Sequence, residues 1–183
     1  MNLYISDTHF GHKNCVRFDH RPFFDNEEMD RMMINLWNSR VTKDDDVYIL
    51  GDFAVGNHQD ETWYLKQLKG HKHLVIGNHD DKLLKNEAAM SYFDSVDKIM
   101  GIHDRVNGVE TVIVLCHYPL AEWYKSRHGS WHIYGHIHGD TSRTAKYMAS
   151  IEHSLNAGAM INNYTPASVS ELIRNNECFK KRC

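Results

Sequence analysis

Five short apolar runs in this 183-residue chain each end in residues able to bind a cation or carry a proton. Leu3–Ile5 leads into Asp7-Thr8-His9, and Val47–Leu50 into Gly51-Asp52. His73–Ile76 leads into Gly77-Asn78-His79-Asp80, Val112–Leu115 into Cys116-His117, and Trp131–Tyr134 into Gly135-His136-Ile137-His138. Histidine is the compositional outlier, with 14 residues, and five of them fall in these endings. Imidazole is both the commonest metal ligand and the usual proton shuttle near neutral pH. The donors Asp7, His9, Asp52, Asn78, His79, His117, His136 and His138 mix imidazoles, carboxylates and one amide oxygen, which suits Mn, Fe or Zn better than Ca. They are too many for one catalytic zinc with three ligands, and they fit two divalent ions sharing a bridging group. Such ions bring more positive charge than Asp7 and Asp52 remove, leaving an excess to bind phosphate and acidify a bridging water. The expected chemistry is hydrolysis of a phosphate ester by hydroxide, with no covalent enzyme intermediate.

A buried strand that stops at Gly and continues in polar residues delivers those residues to a sheet edge, where open α/β sheets place their ligands. Gly77 is expected to let the backbone turn sharply there. His12 and Asn14 belong to the loop that Asp7 opens and could face the same site. Asp25, with Glu28 reaching back, caps a helix whose Met29, Met32, Met33, Leu36 and Trp37 recur at helical spacing. A shorter helix is expected near residues 58–68, ended by Gly70, and another over 81–89. Asn107-Gly108 marks a hairpin turn, 154–157 a further strand, and Thr165-Pro166 the first turn of a final helix. The loop after Tyr118-Pro119 carries Trp123, Tyr124, Lys125, Arg127 and His128 between two donor motifs. It is expected to overhang the site and stack on a nucleotide-like substrate.

The length and the ordinary composition, 42% hydrophobic and 25% charged, favour one globular domain over 1–183. A net charge of −3 gives no general attraction to anionic membranes or to long nucleic acid, so neither is expected as a partner. No apolar run approaches the length of a membrane span. Asp7 and His9 lie too close to Met1 for a leader to be removed without losing them. Four cysteines without C-x-x-C spacing read as free thiols, which points to a cytoplasmic setting. Cys116 and His117, as neighbours on a strand, point to opposite faces and make a poor nucleophile pair.

The ordered set Asp7-x-His9, Gly51-Asp52, Gly77-Asn78-His79-Asp80, His117 and Gly135-His136-x-His138 resembles the calcineurin-like metallophosphoesterase superfamily. The run from Asp7 to Asn14 is similar to its small bacterial and phage members. The resemblance implies an α/β fold: a two-sheet β-sandwich flanked by helices, with a dinuclear centre at one edge. It implies one ion on Asp7, His9, Asp52 and His138, and a second on Asp52, Asn78, His117 and His136, with Asp52 bridging. His79 would then be no ligand but would meet the leaving oxygen, and Asp80, or else a backbone carbonyl, would support its ring. The chain departs from the phosphoprotein phosphatases, which carry Gly-Asp-x-x-Asp-Arg-Gly. Val55 and Gly56 stand where the second Asp and the Arg would be, which argues against a protein phosphatase. The expected substrate is a small phosphate mono- or diester, leaning toward a phosphodiester or nucleotide. The alternative is a non-catalytic metal-binding scaffold of the same fold.

Overall fold

Side-chain alternation along the first strand divides the interior in two. In β1 (Asn2–Ile5), Leu3 and Ile5 face one way and Tyr4 the other, and all three are fully buried. The computed structural model describes residues 1–56 and 58–183. β1 pairs in parallel with β2 (Asp46–Ile49), β2 with β3 (His71–Val75), and β3 with the short β4 (Ser95–Asp97), so strand order follows chain order. Parallel neighbours need crossovers, and helices supply them. These are α1 (Cys15–Phe18) and α2 (Asn26–Arg40) after β1, α3 (Glu61–Leu65) after β2, and α4 (Glu87–Met90) after β3. Met29, Met33 and Trp37 of α2 bury the face carrying Leu3, Ile5, Val47 and Ile49.

The second sheet is ordered β5 (Ile99–Val106), β6 (Val109–Cys116), β7 (Trp131–Tyr134), β8 (Ser154–Asn156). β5 and β6 form an antiparallel hairpin through Asn107 and Gly108, both at positive φ, as the sequence predicts. β6, β7 and β8 are parallel, and α5 (Arg143–Ala149) lies between the last two. Tyr4 and Val75, from the other face of the first sheet, share one buried cluster with Ile113, Leu115, Ile133 and Leu155 of the second. α6 (Val169–Lys180) adds Val169 and Leu172 to it. The chain is thus mixed α/β, with two four-stranded sheets flanked by helices. Among the described residues no helix is long and apolar enough to cross a membrane.

The register puts strand ends side by side. Ile5 is opposite Ile49 and Ile49 opposite Leu74, while Leu115 pairs with Ile133 and Tyr134 with Asn156. The two edges are sewn together beyond the strands. Ser6 bridges Gly158, its N–H donating to the Ala157 carbonyl and its carbonyl accepting from Ala159.

Four expectations about elements change. Glu28 does reach back, but its carboxylate accepts from the Phe24 N–H, one residue before the Asp25 cap. The helix expected over 58–68 is only Glu61–Leu65, capped by Asp60. The helix expected over 81–89 is broken, because the Asn86 side chain accepts from the Ala89 N–H and starts a fresh turn. The last helix starts three residues after Pro166: Ser168 and Glu171 form a reciprocal capping box, which satisfies more end donors than proline can.

Candidate metal centre

The loops that follow the aligned strand ends hold the donors on strained backbone. Asp7, His9, Asp52, His136 and His138 all have φ between 50° and 70°, the left-handed region that non-glycine residues avoid. Each such residue costs about 1–3 kcal/mol and persists only where its surroundings over-determine it. The surroundings here are backbone hydrogen bonds between loops: the His9 N–H donates to the Asp52 carbonyl, and the Asp7 N–H to the Gly51 carbonyl. The His136 N–H donates to the Asp7 carboxylate at 3.0 Å. Two glycines are required by space. A Cβ on Gly77 would collide with Asp52 Oδ1, and one on Gly135 with Ser6 Oγ. Gly77 has an ordinary negative φ, so the reason for glycine is close approach and not the sharp turn expected from sequence.

Asp7, His9, Asp52 and His138 each present one ligand atom, all within 4.8 Å of one another. His138 Nδ1 lies 2.8 Å from Asp19 Oδ1 and donates to it, which turns Nε2 toward His9 Nε2 at 3.2 Å and Asp7 Oδ1 at 3.7 Å. His9 Nε2 is 3.6 Å from Asp52 Oδ2, and its buried Nδ1 has no hydrogen-bond partner among the described residues. A second group adjoins the first. His117 Nδ1 donates to the Leu50 carbonyl at 2.7 Å, which turns its Nε2 lone pair toward Asn78 Oδ1 at 2.9 Å and Asp52 Oδ1 at 3.7 Å. His136 Nδ1 meets the same Asn78 oxygen at 2.9 Å. Ring nitrogens, an amide oxygen and carboxylates converging in this way fit a cation, and Asp52 is common to both groups.

Titration follows the same crowding. Burial, opposed by His138 and His117, leaves the Asp7 carboxyl above its ordinary range. Burial, then the neighbouring His138 and Arg21, hold His9 well below the ordinary imidazole value. Burial pulls His138 down, but its hydrogen bond to Asp19 and the charges of Asp7 and Asp19 outweigh it and raise the ring. A proton held this way by two carboxylates is the one a cation would displace.

His79 is exposed at the rim, its ring 5.7 Å from that of His9, and its N–H donates to Asp52 Oδ1 at 2.8 Å. Asp80 does not support the ring. Its buried carboxylate accepts from the N–H groups of Asp52 at 3.0 Å, Phe53 at 3.0 Å and Gly77 at 2.7 Å, so it fastens the two strand-end turns together. No side-chain or carbonyl partner of the His79 ring is present among the described residues. His12 stands beside the group, ring to ring with His9 at 5.5 Å. Cys116 is buried, and burial raises its thiol, which suits no nucleophile.

The aromatic and basic loop does not overhang the centre. β7 starts opposite Ile113, so the connection must first run back along β6. Lys125 and His128 come to rest by Val109–Val112, the end of β6 remote from His117. Trp123 packs on His132, Arg127 pairs with Glu122, and only Tyr118 keeps its ring beside His136, at 4.7 Å.

Asp19 and Arg21 are the residues that sequence reasoning missed. The Arg21 guanidinium is buried and donates to the carbonyls of Asp7 and Thr8, each at 2.9 Å, and to Asp19 Oδ2 at 3.0 Å. One cation therefore ties the loop of Asp7 and His9 to the carboxylate that orients His138. Asp19-x-Arg21 has no motif spacing to give it away. The only signal was chemical: a ligand histidine needs a carboxylate or carbonyl on its other nitrogen.

No protein-family profile matches the chain. Over 159 residues it is 30% identical to the gene 66 protein of Mycobacterium phage L5, spanning 74% of this chain and 76% of that protein. This mixed α/β chain with its buried Asp/His cluster belongs to the family of that gene 66 protein. An uncharacterized protein of Methanocaldococcus jannaschii is 28% identical over 172 residues, 93% of this chain and 88% of that one. The solved structure of a protein of unknown function from Aquifex aeolicus matches 95% of this chain and 98% of its own, with a TM-score of 0.70 and 28% identity. None of these names states an activity.

Proposed function

We propose that the chain is a metal-dependent phosphoesterase, a calcineurin-like metallophosphoesterase of the small bacterial and phage type. Its two sheets would be the layers of the sandwich in one domain. The observation that carries the reading is the pair of donor groups sharing Asp52: Asp7, His9, Asp52 and His138 on one side, Asp52, Asn78, His117 and His136 on the other. Two divalent ions held there, Mn, Fe or Zn by the chemistry of the donors, would supply positive charge for a phosphate and acidify a water for attack on phosphorus.

The chain's own residues do the rest. Asp19 and Arg21 hold His138 in the tautomer that turns Nε2 inward. Leu50 does the same for His117 through its carbonyl. Asp80 locks the turn bearing Asp52 onto the turn bearing Asn78. His79, exposed at the rim with its backbone pinned to Asp52, gives a proton to the departing oxygen from its ring.

Turnover of bis-(4-nitrophenyl) phosphate against 4-nitrophenyl phosphate, each with Mn, Ni, Fe and Zn, tests the reading and measures the expected lean toward diesters. Tight binding of metal with hydrolysis of neither ester would instead identify a non-catalytic metal-binding scaffold.

A further inference from the structure

A cleft of about 890 Å3 opens beside His136 and His138 and runs outward past the end of α1 toward α5 and the last turn of the chain. Its volume is that of a small-molecule site. Phe18 stands on its wall with 68% of its surface exposed, so its ring is open to a partner from the cleft. Tyr164 lines it too, steadied by the Arg21 guanidinium 5.9 Å from its ring centre. Thr144 offers a hydroxyl, Arg182 a positive charge and Asp140 a negative one. Charges of both signs with hydroxyls and aromatic rings suit a nucleoside better than a polyanion.

The cleft reaches His136 and His138 but not His79. In an in-line displacement the leaving oxygen faces the proton donor, which is His79 in the reading above. Bulk seated beside His136 and His138 is therefore a group that stays on phosphorus. A monoester has only one organic group, and that group leaves. We propose that this cleft binds the retained nucleoside of a nucleotide phosphodiester, with the base stacked on Phe18 and Arg182 closing the outer end; the assignment rests on the phosphoesterase reading. The balanced reaction adds water across one P–O bond. The departing alcohol takes the proton and the nucleoside monophosphate remains.

Two diesters with the same leaving group isolate the effect: thymidine 5′-(4-nitrophenyl phosphate) and methyl 4-nitrophenyl phosphate. The nucleoside ester is expected to be preferred in kcat/KM by about tenfold or more, chiefly through KM, as one base–aromatic stack would give. Phe18→Ala and Arg182→Gln each bring that ratio toward one. Calorimetry of thymidine 5′-monophosphate against inorganic phosphate reads the same cleft without turnover, and the nucleotide is expected to bind about tenfold tighter, with Phe18→Ala removing the difference. A ratio near one in the unaltered protein, or a ratio that neither substitution moves, overturns the assignment. Thymidine monophosphate binding no tighter than phosphate overturns it as well. Hydrolysis of neither ester, alongside Phe18-dependent nucleotide binding, would remove the phosphoesterase reading and leave the nucleoside cleft standing.

Discussion

Asp52 stands between the two donor groups: its carboxylate lies 3.6 Å from His9 and 3.7 Å from His117 and accepts from the His79 N–H. Asp52→Asn should lower bound metal and abolish most activity, measured by metal analysis beside turnover. Asp19→Asn removes an acceptor charge and not a ligand. It should weaken metal binding about 10–100-fold and leave the folded protein intact, read by calorimetric titration. An unchanged affinity would reduce Asp19 to packing. His79→Ala should keep the metal and slow hydrolysis by about 10²–10⁴-fold for alkyl leaving groups, but far less for 4-nitrophenolate, which needs no acid. Equal slowing across leaving groups would argue against proton donation.

Strand ends were legible in the sequence because parallel strands buried on both faces read as short apolar runs, and the polar residues after them had nowhere to go but the edge. The hairpin turn was legible from Asn107-Gly108 for the same kind of local reason. What was hidden depends on path. Nothing in residues 120–130 says that the crossover must run back along β6, past the point opposite Ile113 where β7 begins, so proximity in sequence to His117 misled. α5 and β4 are short and only partly apolar and leave little pattern, while Pro166 concealed the stronger capping box of Ser168 and Glu171.

The crossover is moored by His132, whose Nδ1 donates to the Val114 carbonyl while Nε2 accepts from the Leu120 N–H. Burial lowers this ring to about 4, against 6.5 for an ordinary imidazole. Between those values the unfolded chain binds the extra proton, so stability falls as pH falls, by about 3 kcal/mol over the window. Urea unfolding at pH 7 and pH 4.5 should show the loss, and His132→Gln should lessen it.

Metal and fold should report on each other across the whole molecule. Donors from both sheets converge on one patch, so a cation held there would bind the folded chain and not the unfolded one. At a hundredfold excess over its Kd each ion would add about 2.7 kcal/mol, enough to raise Tm by roughly 5–10 °C. Thermal melts with Mn and with chelator check this; equal midpoints would deny any ordered cation site.

The seam at Ser6 and Gly158 also sets a timetable for synthesis. A nascent chain that has emerged as far as Asp97 already owns Asp7, His9, Asp52 and Asn78, but none of the three imidazoles that follow β6 and β7. Cations in the cell would meet an incomplete set until the ribosome has passed His138. Capture of metal would then be a late event in the life of each molecule, a mark that the second half has been made and has docked against the first.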